Sequence, residues 1–310
     1  MKTACIYHNV DLDGWMSAAI VKHWSTEHVK IYKSTSKDYL DFIGYDYGQS
    51  IPDLSGYDKV IMVDISFPKE EIKKLNNKSL LWLDHHISAI KEVKDYFHSF
   101  RDSKINNSIW GIRDINYAAC ELTWKFLSPN EPMPEIVRLI GRYDCFGGIG
   151  TINWKDVLEF QYGVRSIISS YEDAYIFLQR SFNSPINKSD IEIIKNEGRV
   201  IYKYLCTEAK QLYKNGVVVT FSNITILEEG YNFICINRQR LNLTDFGIDY
   251  HKDGYDGCAS FYYDGSKWCF SLYNDNGLVD CSIIAKQYGG GGNKWYASFI
   301  VKDINDIINL

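Results

Sequence analysis

Residues 80–86 read Leu-Leu-Trp-Leu-Asp-His-His. The first four are the apolar run of a strand buried on both faces, and the last three are polar groups set at its carboxyl end. The same arrangement recurs upstream. Lys59–Asp64 (KVIMVD) is an apolar run closed by a carboxylate, and Thr3–Tyr7 is a short β-prone run that ends at His8. Helical spacing falls between them: Trp15–Trp24 after a polar turn at Asn9–Gly14, and Pro68–Leu75 with Pro68 near the first turn. Strands alternating with helices predict βαβ units and a parallel sheet, in which ligands sit beyond the carboxyl ends of the strands. All three strands end in His or Asp, so this topology would gather those groups at one crevice.

Further along, Tyr117–Leu127 and Glu135–Arg142 have helical spacing, the second leading into Tyr143-Asp144 and a Gly147-Gly148 break. From Ser189 to Lys214, the residues Ile191, Ile194, Ile201, Leu205, Ala209 and Leu212 keep a helical period, with Gly198 as a weak point. After Gly216 the character changes to short β-rich runs, VVVTF, NFICI, GCASFYY, KWCFSLY and YASFIV, some separated by turn signals at Asp264-Gly265 and Asn276-Gly277. The expected fold is therefore α/β. A parallel-sheet domain spans 1–188, a connecting helix 189–215, and a smaller α+β domain 216–310.

Composition agrees and narrows the function classes. A chain of 310 residues exceeds the size at which one core usually stops growing, and 45% hydrophobic residues exclude a mainly disordered or collagen-like chain. Lys and Arg total 34 against 39 Asp and Glu, a net charge of −5, which argues against a broad basic surface for gripping long nucleic acid. No apolar run approaches the roughly 20 residues that span a bilayer, and Met1–Val10 is too short and polar for a secretory signal, so a cytoplasmic location is expected. The eight cysteines form no C-x-x-C pair and read as scattered reduced thiols.

Five clusters carry chemistry. His8, Asp11 and Asp13, with Gly14, place an imidazole and two carboxylates at a strand-to-helix turn, a donor set suited to hard or borderline divalent metals. Alone it also reads as an ordinary turn, as Asp64 alone reads as a helix cap. Asp84-His85-His86 is hard to explain as packing. Asp144 is a lone carboxylate before a glycine pair. Gly289, Gly290, Gly291 and Gly292, followed by Asn293 and Lys294, leave backbone amides available to wrap an anion. Arg238-Gln-Arg240 reads equally as a phosphate or base contact and as a solvated turn.

In order, H-x-x-D-x-D-G, a strand-end Asp, D-H-H, a later lone Asp and G-G-G-G-x-K resemble the DHH phosphoesterase superfamily. More narrowly, they are similar to its DHH–DHHA1 branch of nanoRNases, pAp phosphatases, cyclic-dinucleotide phosphodiesterases and the RecJ exonuclease. The resemblance runs from Ile6 to Val301. It implies two divalent ions, usually manganese with magnesium possible: His8 and Asp11 on one, Asp13, His85 and Asp144 on the other, and Asp64 bridging. It also implies that His86 contacts the scissile phosphate, that Asp84 orients a neighbouring histidine, and that the glycine run holds the far end of the substrate from the second domain. The chain departs from the pattern at Asn293, where His is common, and at Ala297-Ser298, where Ala-Gly is common. Asn carries no positive charge, so a weaker or differently tuned phosphate clamp is expected. The implied activity is hydrolysis of nanoRNA, pAp or a cyclic or linear dinucleotide. A RecJ-like single-strand exonuclease and a non-catalytic nucleotide sensor are the alternatives. Part of the acidic excess is Asp11, Asp13, Asp64, Asp84 and Asp144, which two divalent ions would nearly neutralise.

Overall fold

The computed structural model describes residues 1–32, 39–75, 78–99, 109–145, 153–183, 188–221, 230–239 and 241–308. Gly147-Gly148 and Arg240 lie outside the described residues. The chain divides into two compact units, Met1–Ile201 and Tyr202–Leu310.

The first unit is built on a four-stranded parallel sheet of β1 (Lys2–His8), β2 (Tyr39–Tyr45), β3 (Lys59–Val63) and β4 (Ser79–Leu83), in the order β2-β1-β3-β4. Its helices are α1 (Leu12–Tyr32), α2 (Lys69–Lys74), α3 (Ile87–Ser99), α4 (Ala119–Leu127), α5 (Glu135–Asp144), α6 (Trp154–Val164), α7 (Tyr171–Asn183) and the start of α8 (Lys188–Lys214). Consecutive strand residues feed opposite cores. Ala4, Ile6, Val60, Met62 and Trp82 pack with Ile72 of α2 and Val93 of α3. Cys5, Tyr7, Ile61, Val63 and Leu83 pack with Ala18 and Val21 of α1. Burial on both faces is why these strands read as unbroken apolar runs.

Two elements differ from the sequence reading. Helix α1 starts at Leu12, so Asp13 and Gly14 belong to its first turn and not to a preceding polar loop. The half-buried strand β2 (YLDFIGY) escapes a pattern search because Asp41 and Gly44 interrupt its apolar run, although Leu40 and Phe42 pack into one core and Ile43 and Tyr45 into the other.

A third core joins α1, α4, α5, α6, α7 and α8, with Phe160, Leu178, Ile191 and Ile194 among its members. Where α6 crosses α8 the backbones nearly touch. A Cβ at Gly198 would lie 1.8 Å from the Glu159 carbonyl oxygen. Helix propensity alone favours alanine there by about 1 kcal/mol. Overpacking of about 1–3 kcal/mol opposes it. Gly198→Ala is therefore expected to lower the denaturant midpoint, and a raised midpoint would show that the crossing has slack. Beside the crossing, Arg199 pairs with the buried Glu159 at 2.8 Å.

The second unit carries β5 (Val217–Phe221), β6 (Tyr231–Asn237), β7 (Gly257–Tyr263), β8 (Trp268–Tyr273), β9 (Gly291–Gly292) and β10 (Tyr296–Val301), with α9 (Cys281–Gln287) between β8 and β9. The sheet order is β5-β6-β7-β8-β10-β9, and only β6 and β7 run parallel among its pairs. Phe233, Phe270, Leu272, Ile284 and Phe299 fill its core. Among the described residues, no helix is long and apolar enough to cross a membrane. All eight cysteines are free thiols.

Candidate metal centre

The carboxyl ends of the parallel strands bring the polar groups together. His8 ends β1, Asp64 follows β3, and Asp84, His85 and His86 follow β4. Asp11 precedes α1, Asp13 lies in its first turn, and Asp144 is the last residue of α5. A Cβ at Gly14 would sit 2.0 Å from the His8 carbonyl oxygen, so only glycine lets the first turn of α1 pack this close to the strand end. Its amide donates to Asp11 Oδ1 at 3.0 Å and fixes that carboxylate.

Three overlapping donor groups result among the described residues. His8, Asp11 and Asp64 offer atoms within 4.8 Å of one another, as do Asp13, Asp64, His85 and Asp144, and a third set of Asp64, His85 and His86 overlaps the second, so Asp64 belongs to all of them. His8 Nδ1 lies 3.1 Å from Asp11 Oδ2 and 3.4 Å from Asp64 Oδ2. His85 Nε2 lies 3.0 Å from Asp144 Oδ2, 3.4 Å from Asp64 Oδ1 and 3.7 Å from Asp13 Oδ2. These separations suggest ion pairs, yet His8 Nδ1, both Asp64 oxygens and His85 Nε2 are buried without an aligned hydrogen-bond partner. The atoms converge on common points instead of pointing at each other. Buried polar atoms left in that state call for a further partner, and imidazole with carboxylate suits a divalent cation of the manganese type.

The supporting groups hold this arrangement rigid. Asp13 Oδ2 accepts from the Ala119 amide at 2.8 Å and Oδ1 from the Cys120 amide at 2.7 Å, so its charge also satisfies the amino end of α4. Fully buried Asp84 accepts at Oδ1 from the His85 amide (2.8 Å) and the His86 amide (3.2 Å), and that oxygen lies 2.7 Å from His86 Nδ1. Its Oδ2 accepts from Trp82 Nε1 at 3.1 Å. The carboxylate thereby fixes the His86 ring with Nε2 left for another partner. The ring of Tyr47 stands edge-on to both His8 and His86, at 5.9 and 6.2 Å. Asp64 adopts a left-handed backbone, φ 58°, held by its amide donating to Leu83 O at 3.0 Å. Strain of this kind concentrates at functional sites.

The electrostatics are those of a cluster short of positive charge. Burial, then repulsion from Asp64 and Asp144, pushes Asp13 well above the carboxylate range. Burial opposes charge on His8 and His85, yet the surrounding carboxylates, Asp11 first for His8 and Asp144 first for His85, raise both imidazoles far above their ordinary value. Burial also opposes charge on Asp64, but the adjacent His8 and His85 imidazoles hold it far below its usual range. Burial likewise disfavours the charged ring of His86, and Asp84 more than offsets this.

Sequence reading missed Asp46, whose Oδ1 lies 3.3 Å from His8 Nε2. It follows β2, so the rule that each strand ends in an acid or histidine applies to it too. A carboxylate on the far ring nitrogen fixes tautomer and orientation of a ligating histidine. Asp46→Asn is expected to weaken manganese affinity about 10- to 100-fold by calorimetric titration. Unchanged affinity would remove Asp46 from that role.

In the second unit the glycine run is less free than its sequence suggests. The Gly289 and Gly290 amides donate to Lys286 O and Ala285 O, closing α9, and the Asn293 amide donates to Tyr296 O. Gly291 and Gly292 form β9 against β10. Asn293 Oδ1 accepts from the Trp295 and Tyr296 amides at 2.8 and 2.9 Å, leaving only its NH₂ to donate outward. Of the four glycine amides expected to be open to an anion, two therefore close a helix end, and the other two glycines lie in the β9–β10 pair. Lys294 Nζ lies 5.7 Å from the Trp295 ring centroid. Arg238 pairs with Glu208 at 3.2 Å.

Residues 3–141 match the family model described as DHH family, N-terminal domain. No curated protein matches the chain. Among solved structures, the chain is similar to a pGpG-specific phosphodiesterase, PggH, from Vibrio cholerae, with 12% identity, TM-score 0.48, and coverage of 99% of this chain and 95% of that one. It is also similar to an exopolyphosphatase-related protein from Bacteroides fragilis (12%, TM-score 0.47, 96% and 86%). RecJ from Thermus thermophilus in complex with Mn²⁺ gives 9% identity and TM-score 0.43, with 97% of this chain and 49% of that chain covered. At these identities and scores, none of the three says what this chain acts on.

Proposed function

We propose that the protein is a metal-dependent phosphoesterase that hydrolyses short oligonucleotides or small nucleotides, a reading supported by the match of residues 3–141 to the DHH family N-terminal domain model. The observation that carries this reading is the set of donor groups sharing Asp64. His8, Asp11 and Asp64 would hold one divalent ion, most simply manganese, and Asp13, Asp64, His85 and Asp144 the other. Bound there, such ions supply an activated water at neutral pH and neutralise charge on the phosphoryl oxygens.

The remaining chemistry belongs to the chain. His86, its Nδ1 held by Asp84, presents Nε2 toward an anionic substrate, and the Asp84 charge stabilises its protonated ring. The amides at the start of α4 fix Asp13, and Asp46 fixes His8, so neither must reorganise as charge develops. Tyr47 walls the site beside the two histidines. In the second unit, Gly291 and Gly292 are paired with β10, and Lys294 and the Asn293 NH₂ are the donors that remain for an anionic group. Arg238 is the weaker choice because Glu208 already neutralises it.

The net charge of −5 supports short substrates over long polymers. The test is a manganese-supplemented panel of pAp, short RNA, short DNA, cyclic dinucleotides and a long single strand. Turnover of a short member above the long strand is expected. Preference for the long strand would favour the exonuclease reading, and tight binding without hydrolysis of any member would favour a sensor.

A further inference from the structure

Most arginines of the first unit have partners that explain them. Arg138 pairs with Glu135, Arg142 with Glu121 and Arg199 with Glu159, while Arg113 donates to the carbonyls of Trp82, Ile109 and Trp110. Arg165, the residue that closes α6, and Arg180 of α7 have no such partner among the described residues, and of the two Arg165 is the one set against aromatic rings beside a donor-group residue. It has no carboxylate within ion-pair distance among the described residues. Its guanidinium lies 5.1 Å from the ring centroid of Tyr143 and 5.2 Å from that of Tyr162.

Its position is the informative point. Tyr143 immediately precedes Asp144, a member of one donor group, and its ring stacks on Trp154 at 6.0 Å and 9°. Burial disfavours the charge of Arg165, the Tyr143 and Tyr162 hydroxyls favour it, Tyr143 also through a hydrogen bond, and Asp11 of the His8 group adds a smaller attraction. Yet Arg165 remains exposed. A cation placed only to neutralise the acidic cluster would close onto Asp11. This one is instead held at its guanidinium by the Tyr143 and Tyr162 rings, with Tyr143 taking one hydrogen bond and no carboxylate on its remaining N–H groups among the described residues. A planar fork in that state suits two oxygens of a phosphate.

We propose that Arg165 binds a non-scissile phosphate of the substrate, making it a specificity-determining residue for substrates that carry a second phosphate. The proposal rests on the phosphoesterase reading above. The site lies within Met1–Ile201 and uses none of the glycine-run residues.

The test compares two dinucleotides that differ only in a 5′-phosphate, with manganese supplied, in wild type, Arg165→Met, Arg165→Gln and Arg165→Lys. A charge-assisted contact predicts a wild-type KM about 10- to 100-fold lower for the phosphorylated dinucleotide. In the Met and Gln variants the ratio should fall to about 1 through a rise in the KM of the phosphorylated substrate, and Lys should restore part of it. Thermal transitions identify any variant that fails to fold, and Gln offers a second neutral side chain should Met do so. A wild type that does not distinguish the two substrates, or a ratio that survives both neutral variants, overturns the proposal while the phosphoesterase reading stands. An equal loss on both substrates also overturns it, since that marks a structural role. Hydrolysis of neither dinucleotide by wild type, together with no turnover across the substrate panel, rejects the phosphoesterase reading and this proposal with it.

Discussion

Replacing Asp64 with asparagine is expected to lower kcat about a thousandfold at saturating manganese while the protein stays folded. Asp64 is buried at the end of β3 and, among the described residues, is the one common to every donor group. Its φ of 58° lies in the left-handed region, which asparagine tolerates better than most residues do. The substitution therefore removes the charge with little change in size or backbone strain. Charge stabilisation by bound metal contributes several kcal/mol to the transition state, and 1.36 kcal/mol corresponds to tenfold, so a loss of about 4 kcal/mol gives the stated factor. Steady-state kinetics beside a thermal melt decides it. Near-normal kcat in a folded variant would contradict the shared role of Asp64.

The second large effect is on stability. His8 and His85 have folded pKa values raised above the ordinary 6.5, so the stability they contribute is fully present below 6.5 and lost as pH rises through their folded values. Asp13, also raised, has the same sign. Asp64 is lowered, so its contribution is present above the ordinary 3.8 and is lost only in strong acid. Chelator-treated protein should accordingly lose stability between about pH 6.5 and pH 9. Added manganese would supply the missing positive charge. At about 100 times its Kd it adds about 2.7 kcal/mol, which for a unit of this size corresponds to a Tm rise of about 5–10 °C. Protons compete for the same donors, so the gap between chelated and loaded protein should widen as pH rises. Melts at pH 6, 7.5 and 9 check this, and a gap that closes with rising pH would contradict it.

Much of the sheet and its rim was legible because β1, β3 and β4 are buried on both faces and end in chemistry-bearing residues. Strand β2 was not, since the half-buried YLDFIGY has no unbroken apolar run, and Asp46 was lost with it. The start of α1 was misplaced because nothing local shows that Asp13 meets amides more than 100 residues away, at the start of α4. Asp144 was singled out beyond a helix, whereas α5 extends to include it. Arg165 carries no motif at all; its meaning comes from two tyrosine rings, one of them next to Asp144, which only the fold supplies. The glycine run shows the opposite error, a conspicuous pattern in which two amides close a helix end and the other two glycines lie in a hairpin.

The central claim is that the side chains gathered at the sheet rim form one centre for two divalent ions joined by Asp64. Calorimetric titration of manganese into chelator-treated protein tests it most directly. Two equivalents per chain are expected in wild type, and Asp64→Asn should weaken both together. One equivalent or none in wild type, or a variant that still binds two with unchanged affinity, would contradict it.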